Sequence, residues 1–514
     1  MIFLMIASAI SQIHPCRRCW PMTTRKPLLL VTPLHGNDDD CACPDKAYVL
    51  LYEQENISVD NDCACPDRAY RLENMSPQKP LFVRQRDVHE QQLENGYHML
   101  MSALAPNGPA VLNALAHARW QDFATPQPLK DPIDRELLEQ ALLQPADTTP
   151  VMKAVQAETL VAWIHITNAC NLDCPYCYVR KSSARMSLET GSAALRQIFA
   201  TAQKQGFRSV KLKYAGGEAT LHFKLIRQLH EIASNLAQKS NIQLKEVVLS
   251  NGFRIREEDA IWLANARVKL MISLDGIGAM HDQQRPLKGG GTTFTQIEKT
   301  IDDILLPSGV IPDITLTVTH LNAAGIADAM KWILARALPF SLNFYRRNPL
   351  SIGRKELQLE EQAIIAGMEA AYQVIAENLP AQPFLNGLLD RVQAEAHSHT
   401  CGVQHNYLVI RHDGALAQCQ MHLDNPLPVA ENARPLELIA LGPIQNISVD
   451  EKEGCRDCVF RYRCSGGCPL ETYQATGRWD IRSPHCHIYQ TLLPQALKLE
   501  GLRLLKTNGL LPHA

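Results

Sequence analysis

At 514 residues the chain is too long for one ordinary domain, and length alone points to two to four. A formal net charge of −2 lacks the basic excess of an electrostatic nucleic-acid binder, and no stretch is apolar for long enough to span a bilayer. Sixteen cysteines are many, and their clustered C-x2-C and C-x3-C spacings fit metal ligation in a reducing compartment better than disulfides; the expectation is a cytoplasmic protein with no nucleic-acid and no membrane partner.

Residues 1–23 read as an extension rather than a signal peptide, because Met1 to Ile10 is apolar without a basic segment ahead of it and Met22 opens ordinary protein. In the N-terminal domain expected over 24–150, Asp40-Cys-Ala-Cys-Pro-Asp-Lys-Ala-Tyr48 returns as Asp62-Cys-Ala-Cys-Pro-Asp-Arg-Ala-Tyr70. Cys41, Cys43, Cys63 and Cys65 could form one thiolate metal site, mimic a cysteine-rich substrate peptide, or mark a duplication without chemistry; C-x-C is tighter than the usual zinc knuckle. Further on, Leu81-Phe-Val83 and Tyr97-His-Met-Leu-Met101 flank Glu94-Asn-Gly96 and predict a hairpin. Pro109 is expected to open a helix on which Val111, Leu112 and Leu115 share a face. A Pro-rich connection over 121–157, around one short helix from Pro132 to Leu143, leads to the next domain.

From residue 158 to 346, apolar strands alternate with amphipathic helices, which predicts a parallel sheet of βα units. Six strands are read at 160–166, 209–214, 245–250, 268–274, 314–319 and 341–345, with helices from Leu188 to Lys204 and Phe223 to Gln238. Six units make a partial barrel, whose functional residues belong on loops after the C-terminal ends of its strands. Behind the first strand stands Cys170-Asn-Leu-Asp-Cys174-Pro-Tyr-Cys177. Three thiolates at this spacing can hold three irons of a 4Fe-4S cube and leave the fourth iron open. Strand two ends in Gly216-Gly217-Glu218: glycines let backbone approach a ligand closely, and the carboxylate suits an ammonium group. Ser250-Asn251-Gly252 ends strand three, and Ser273-Leu-Asp275-Gly276, followed by Arg285, ends strand four; by themselves these are ordinary cap and turn formers. The Gly289-Gly-Gly291 loop lacks the Gly-Lys-Ser/Thr of a nucleoside-triphosphate site and precedes a helix that Thr293 could cap.

A linker over 347–397 contains a helix expected from Glu356 to Asn378. Cys401 then precedes a hairpin turning at His412-Asp413-Gly414 and closed by Cys419. Cys455-x2-Cys458-x5-Cys464-x3-Cys468 and Cys486 follow; zinc ribbons would show two closed C-x2-C pairs, and only one is present.

The C-x3-C-x2-C run, with aromatic Tyr176 before its third cysteine, resembles the motif of the radical S-adenosylmethionine (SAM) enzymes, and Gly216-Gly217-Glu218 resembles that family's motif for the amino group of the SAM methionine. The resemblance implies that Cys170, Cys174 and Cys177 hold a catalytic 4Fe-4S cluster whose open iron chelates SAM. It also implies that Asn251 and Ser273 lie near the ribose or carboxylate of SAM, and that Asp275 and Arg285 line the SAM or substrate pocket. The seven later cysteines resemble the C-terminal extension called SPASM, found on radical SAM enzymes that modify peptides and proteins. It implies two auxiliary 4Fe-4S clusters within 398–514: Cys455, Cys458, Cys464 and Cys486 around the second, and Cys401, Cys419 and Cys468 around the first, which is one ligand short. His397, His399 and His405 stand near in sequence. The layout of residues 80–120 resembles a small winged-helix module that captures leader peptides by adding them to a sheet edge; a small α/β cap without a ligand is the alternative.

The expected architecture is therefore α/β: a partial (β/α)6 TIM-type barrel with a C-terminal iron-sulfur α+β domain and a small N-terminal winged-helix-like cap. The implied activity is reductive cleavage of SAM to a 5′-deoxyadenosyl radical, which takes hydrogen from a ribosomally made, leader-bearing peptide and leaves a thioether or carbon-carbon cross-link or an oxidised residue. Flavodoxin or ferredoxin would supply the electron, and the auxiliary clusters would take up the one left over. A sulfatase- or quinohemoprotein-activating maturase is the nearest alternative. An iron-sulfur carrier or sensor is the alternative of another class; Gly216-Gly217-Glu218 speaks against it, since a carrier needs no pocket for an ammonium group.

Overall fold

The computed structural model describes residues 26–32, 48–51, 80–148, 151–154, 157–428 and 434–511. The residues 1–23 and the paired C-x-C motifs of Cys41, Cys43, Cys63 and Cys65 lie outside the described residues.

The N-terminal part contains β1 (Leu29–Leu30), β2 (Tyr48–Leu51), β3 (Phe82–Arg84), β4 (Val88–Gln92), β5 (His98–Ser102), β6 (Ala110–Leu112), α1 (Ala114–Asp122), α2 (Pro132–Glu139), β7 (Leu143–Pro145) and β8 (Val151–Ala154). Its antiparallel sheet runs β1-β6-β5-β4, while β3 pairs with β7 and β2 with β8. Three expectations need correction here. The strand facing β5 across Glu94–Gly96 is β4, in register Gln92↔His98, and not Leu81–Val83. A three-residue turn closes on the strand adjoining it, and the polar sequence of β4 hides it from any reading of apolar alternation. Val111 and Leu112 lie on strand β6, both 0% exposed; the helix starts after them, where Asn113 Oδ1 accepts from Ala116 N at 2.9 Å. A continuous apolar run suits a strand covered on both faces, and Asn caps a helix better than an apolar residue. The helix α2 stops at Glu139, because Ala141 takes a left-handed φ of 51° and Leu143 enters β7.

The six barrel strands are β9 (Thr159–Thr167), β10 (Ser209–Gly216), β11 (Gln243–Ser250), β12 (Lys269–Ser273), β13 (Asp313–Val318) and β14 (Phe340–Phe344), each parallel to the next. They are joined through α3 (Leu188–Gln205), α4 (Phe223–Ser240), α5 (Glu257–Ala266), α6 (Ala279–Gln284), α7 (Phe294–Lys299) and α8 (Ile326–Ala335). Every residue of β9 is buried, as a parallel strand covered on both faces requires. Local signals set the helix ends: Ser187 Oγ accepts from Thr190 N at 3.0 Å to open α3, and Gly206, at φ 76°, closes it. Thr293 does not cap α7 with its side chain. Its hydroxyl donates to Arg285 O at 2.7 Å, and Asp282 Oδ1 instead accepts from the backbone of Thr293 (2.6 Å) and Phe294 (2.8 Å).

The linker helix α9 spans Glu361–Glu377, capped by Glu360, so it starts later than expected. After α10 (Leu385–Leu388) come β15 (Tyr407–Ile410) and β16 (Leu416–Ala417), the expected hairpin. The hairpin joins the barrel: β15 lies parallel to β9 with Tyr407 opposite Val161, so one eight-stranded sheet runs β14-β13-β12-β11-β10-β9-β15-β16. Last come α11 (Pro435–Ala440), α12 (Arg461–Cys464), α13 (Pro469–Thr476) and α14 (Cys486–Thr507). The N-terminal sheet packs on α14, where a Cβ added to Gly501 would lie 3.2 Å from Leu93 Cδ1 and 3.3 Å from Met99 Cγ. Arg463, 0% exposed, staples the same parts together by donating to the carbonyls of Ala103 (3.1 Å), Ala105 (2.5 Å) and Ala394. No helix among the described residues is long and apolar enough to cross a membrane.

Candidate active site

The buried strand β9 ends at the cysteine loop, and the end of β10 grips that loop from the side. Gly217 N donates to Thr167 O at 2.6 Å and Glu218 N to Ala169 O at 2.8 Å. A Cβ on Gly216 would sit 2.5 Å from Thr167 O, and one on Gly217 would collide with Ala169 O. Both glycines line the cavity, but what demands them is contact with the loop's own backbone. Asn251 Nδ2 donates to Asn171 Oδ1 at 2.8 Å and Asp173 N to Pro286 O at 2.9 Å, which ties the loop's middle to the third and fourth strand ends.

Cys170, Cys174 and Cys177 all open onto one cavity. Burial pushes the Cys170 thiol up and that of Cys174 to about 12, because a low-dielectric surrounding disfavours the thiolate. Three soft donors on one wall fit a cube held at one pole. Lys181 stands beside them: burial alone would lower its ammonium, but the Cys177 and Cys170 thiols outweigh this and raise it.

Glu218 is 3% exposed. Its Oε1 accepts from Thr220 N (3.1 Å), Thr220 Oγ1 (2.5 Å) and Ser250 Oγ (2.9 Å), and its Oε2 from Asn251 N (2.7 Å). Four donors fix the carboxylate while Oε2 keeps a free lone pair, which suits an incoming ammonium group. Ser273, Asn251, Tyr176 and Arg285 also line the cavity. Asp275 does not stand on that wall. Buried at 1% exposure, it accepts from Arg285 Nε (2.7 Å), Thr317 N (2.7 Å) and the Tyr176 hydroxyl. It therefore orients the arginine and tyrosine that do face the cavity; burial disfavours the Arg285 charge, but Asp275, Tyr176 and the Cys174 thiol together raise its pKa above the usual guanidinium range.

The cavity, about 380 Å³, is lined both by the cysteine loop and by Cys401, Cys419 and Cys468. Cys455, Cys458, Cys464 and Cys486 surround a separate cavity of about 20 Å³. The seven C-terminal cysteines are thus brought together as three and four. Burial raises Cys419 and Cys464 to about 12 and Cys455 to about 11. His397, His399 and His405 line neither cavity; burial lowers His397 to about 4, and His399 and His405 meet edge to face at 4.4 Å. Among the wall residues that the sequence reading does not single out are Lys181, Tyr178, Tyr407 and Arg391. Lys181 follows the third cysteine closely enough to have been suspected, whereas Arg391, at a left-handed φ of 59°, follows no motif.

Residues 164–332 match the family described as the Radical SAM superfamily. The chain is 30% identical over 275 residues to the sporulation killing factor maturation protein SkfB of Bacillus subtilis (strain 168), a match covering 51% of this chain and 60% of that one. It is 25% identical over 378 residues to the serine-type anaerobic sulfatase-maturating enzyme of Klebsiella aerogenes, covering 65% and 86%. The solved structure of native anSMEcpe with bound AdoMet and Cp18Cys peptide has the same fold, with a TM-score of 0.55 at 18% identity over 66% of this chain and 99% of that one.

Proposed function

We infer that this chain, a radical SAM enzyme whose matched domain spans residues 164–332, oxidatively modifies a ribosomally made peptide by hydrogen abstraction, forming a cross-link or an oxidised residue. The family implies SAM and a 4Fe-4S cluster, which together supply a 5′-deoxyadenosyl radical when bound. Cys170, Cys174 and Cys177 are assigned to that cluster, Glu218 to the SAM ammonium, and Asn251, Ser273 and Arg285 to the rest of SAM. Cys401, Cys419 and Cys468 are assigned to a first auxiliary cluster and Cys455, Cys458, Cys464 and Cys486 to a second.

The observation that carries the reading is the shared cavity. The catalytic-loop thiols and Cys401, Cys419 and Cys468 line the same space of about 380 Å³. A peptide side chain held there stands within reach of a hydrogen acceptor on one side and an electron acceptor on the other, as a net two-electron oxidation requires. The named activity of SkfB as a maturation protein supports a peptide substrate. A leader would be captured by the N-terminal sheet, and a flavodoxin or ferredoxin would deliver the electron.

The test is anaerobic reconstitution with iron and sulfide, followed by SAM and dithionite. Wild type should form 5′-deoxyadenosine and Cys174→Ala none, while Cys419→Ala should still cleave SAM but yield no modified peptide. Absence of 5′-deoxyadenosine from fully loaded wild type sinks the reading. Equal affinity for a precursor with and without its leader, measured by anisotropy, would overturn leader capture. The sulfatase-maturating reading is favoured by the 86% coverage of the Klebsiella aerogenes enzyme. Conversion of a serine or cysteine in a sulfatase-derived peptide to formylglycine, by mass, would establish it.

A further inference from the structure

Between the two sets of C-terminal cysteines lies a buried cation. Lys452 is 1% exposed, and its ammonium donates to Ser465 O at 2.8 Å. Among the described residues no carboxylate stands within ion-pairing distance of it; burial lowers its pKa, opposed by the thiols of Cys455 and Cys464 from one set and of Cys401 and Cys468 from the other. The chain is shaped to admit it. Ser465, Gly466 and Gly467 all take left-handed φ (47°, 77° and 72°), and a Cβ on Gly466 would lie 3.0 Å from Lys452 Nζ and 3.3 Å from Cys455 Sγ. Thr400 Oγ1 holds this loop by sharing its one proton between Ser465 O (2.9 Å) and Gly467 O (2.7 Å). The same loop joins Cys464 of one set to Cys468 of the other.

A buried ammonium with a single carbonyl partner is strongly disfavoured unless an anion stands near. A thiolate-ligated cube is such an anion. We propose that Lys452 is the shared counter-ion of the two auxiliary clusters and raises their reduction potentials, so that they accept the electron released as the substrate radical closes. This rests on reading the seven cysteines as ligands of two auxiliary clusters. The balance is one hydrogen atom from substrate to the deoxyadenosyl radical, then one electron to the auxiliary cluster and one proton to solvent as the new bond forms; a one-electron protein carrier reoxidises the cluster. A fixed positive charge favours the more negative, reduced state of a nearby cluster, and the effect is large where water is excluded.

The experiment is EPR-monitored redox titration of the reconstituted full chain, comparing wild type with Lys452→Gln, whose amide can still donate to Ser465 O, and Lys452→Met. With iron and sulfide unchanged, both variants should reduce their C-terminal clusters about tenfold less favourably, a shift of about 59 mV to more negative potential for a one-electron couple. The potential of the cluster at Cys170, Cys174 and Cys177 should stay put. Unchanged potentials in fully loaded variants would overturn the proposal. Loss of both C-terminal clusters from both variants would also overturn it and make Lys452 a scaffold residue. Wild type that binds no iron at these cysteines would instead refute the auxiliary-cluster reading beneath it.

Discussion

Glu218 shows what one buried carboxylate can decide. Its four protein donors hold it whether or not a ligand is present, and replacement by Gln removes the negative charge and turns an NH2 group either towards the donor-only N–H of Asn251 or towards that of Thr220. Glu218→Gln should weaken SAM binding about 10- to 100-fold, as loss of a charge-assisted hydrogen bond would, with 5′-deoxyadenosine formation recovering at saturating SAM; calorimetric titration of the reconstituted protein checks this. A second buried carboxylate, Glu246, accepts from Tyr214 and bonds His230 Nδ1, both at 2.6 Å. The hydrogen bond to Glu246 raises the His230 pKa above 6.5. A raised folded-state pKa gives stabilisation that is complete below the unfolded value and fades as pH rises through the folded one. His230→Gln should therefore lower the urea midpoint more at pH 6 than at pH 9.

At the scale of elements, the grip of β10 on the cysteine loop is the contact most easily broken. Gly217→Ala should push Ala169 away and lower the iron bound at Cys170, Cys174 and Cys177; on the proposed assignment any iron at the C-terminal cysteines is unaffected, which iron analysis and EPR would separate. The barrel was readable because its strands are buried on both faces and so appear as unbroken apolar runs, while caps such as Ser187 and stops such as Gly206 mark helix ends locally. Less was readable in the N-terminal part. Strand β4 is polar and half exposed, and the strand β6 looks like the first turn of a helix until its pairing with β5 is known. Of the site, cysteines and glycines announced themselves by spacing. The orienting role of Asp275 did not, because only the fold brings Tyr176, Arg285 and Thr317 around it.

The molecule as a whole is bound together by more than its catalytic core. Arg463 leaves three carbonyls without donors if truncated, and Arg463→Met should lower unfolding stability by roughly 3 kcal/mol or more by chemical denaturation. Removing residues 24–150 would likewise strip Leu93, Met99 and Val111 from α14, so the shortened chain should aggregate rather than report cleanly on peptide capture. The ladder between β9 and β15 adds a matter of timing. During synthesis β9 emerges early, but its outer neighbour is not made until the ribosome has passed residue 410. At ordinary elongation rates that leaves a raw apolar edge waiting on the order of tens of seconds, so the nascent barrel is a client for chaperones and its iron is best loaded only after the last strand has arrived.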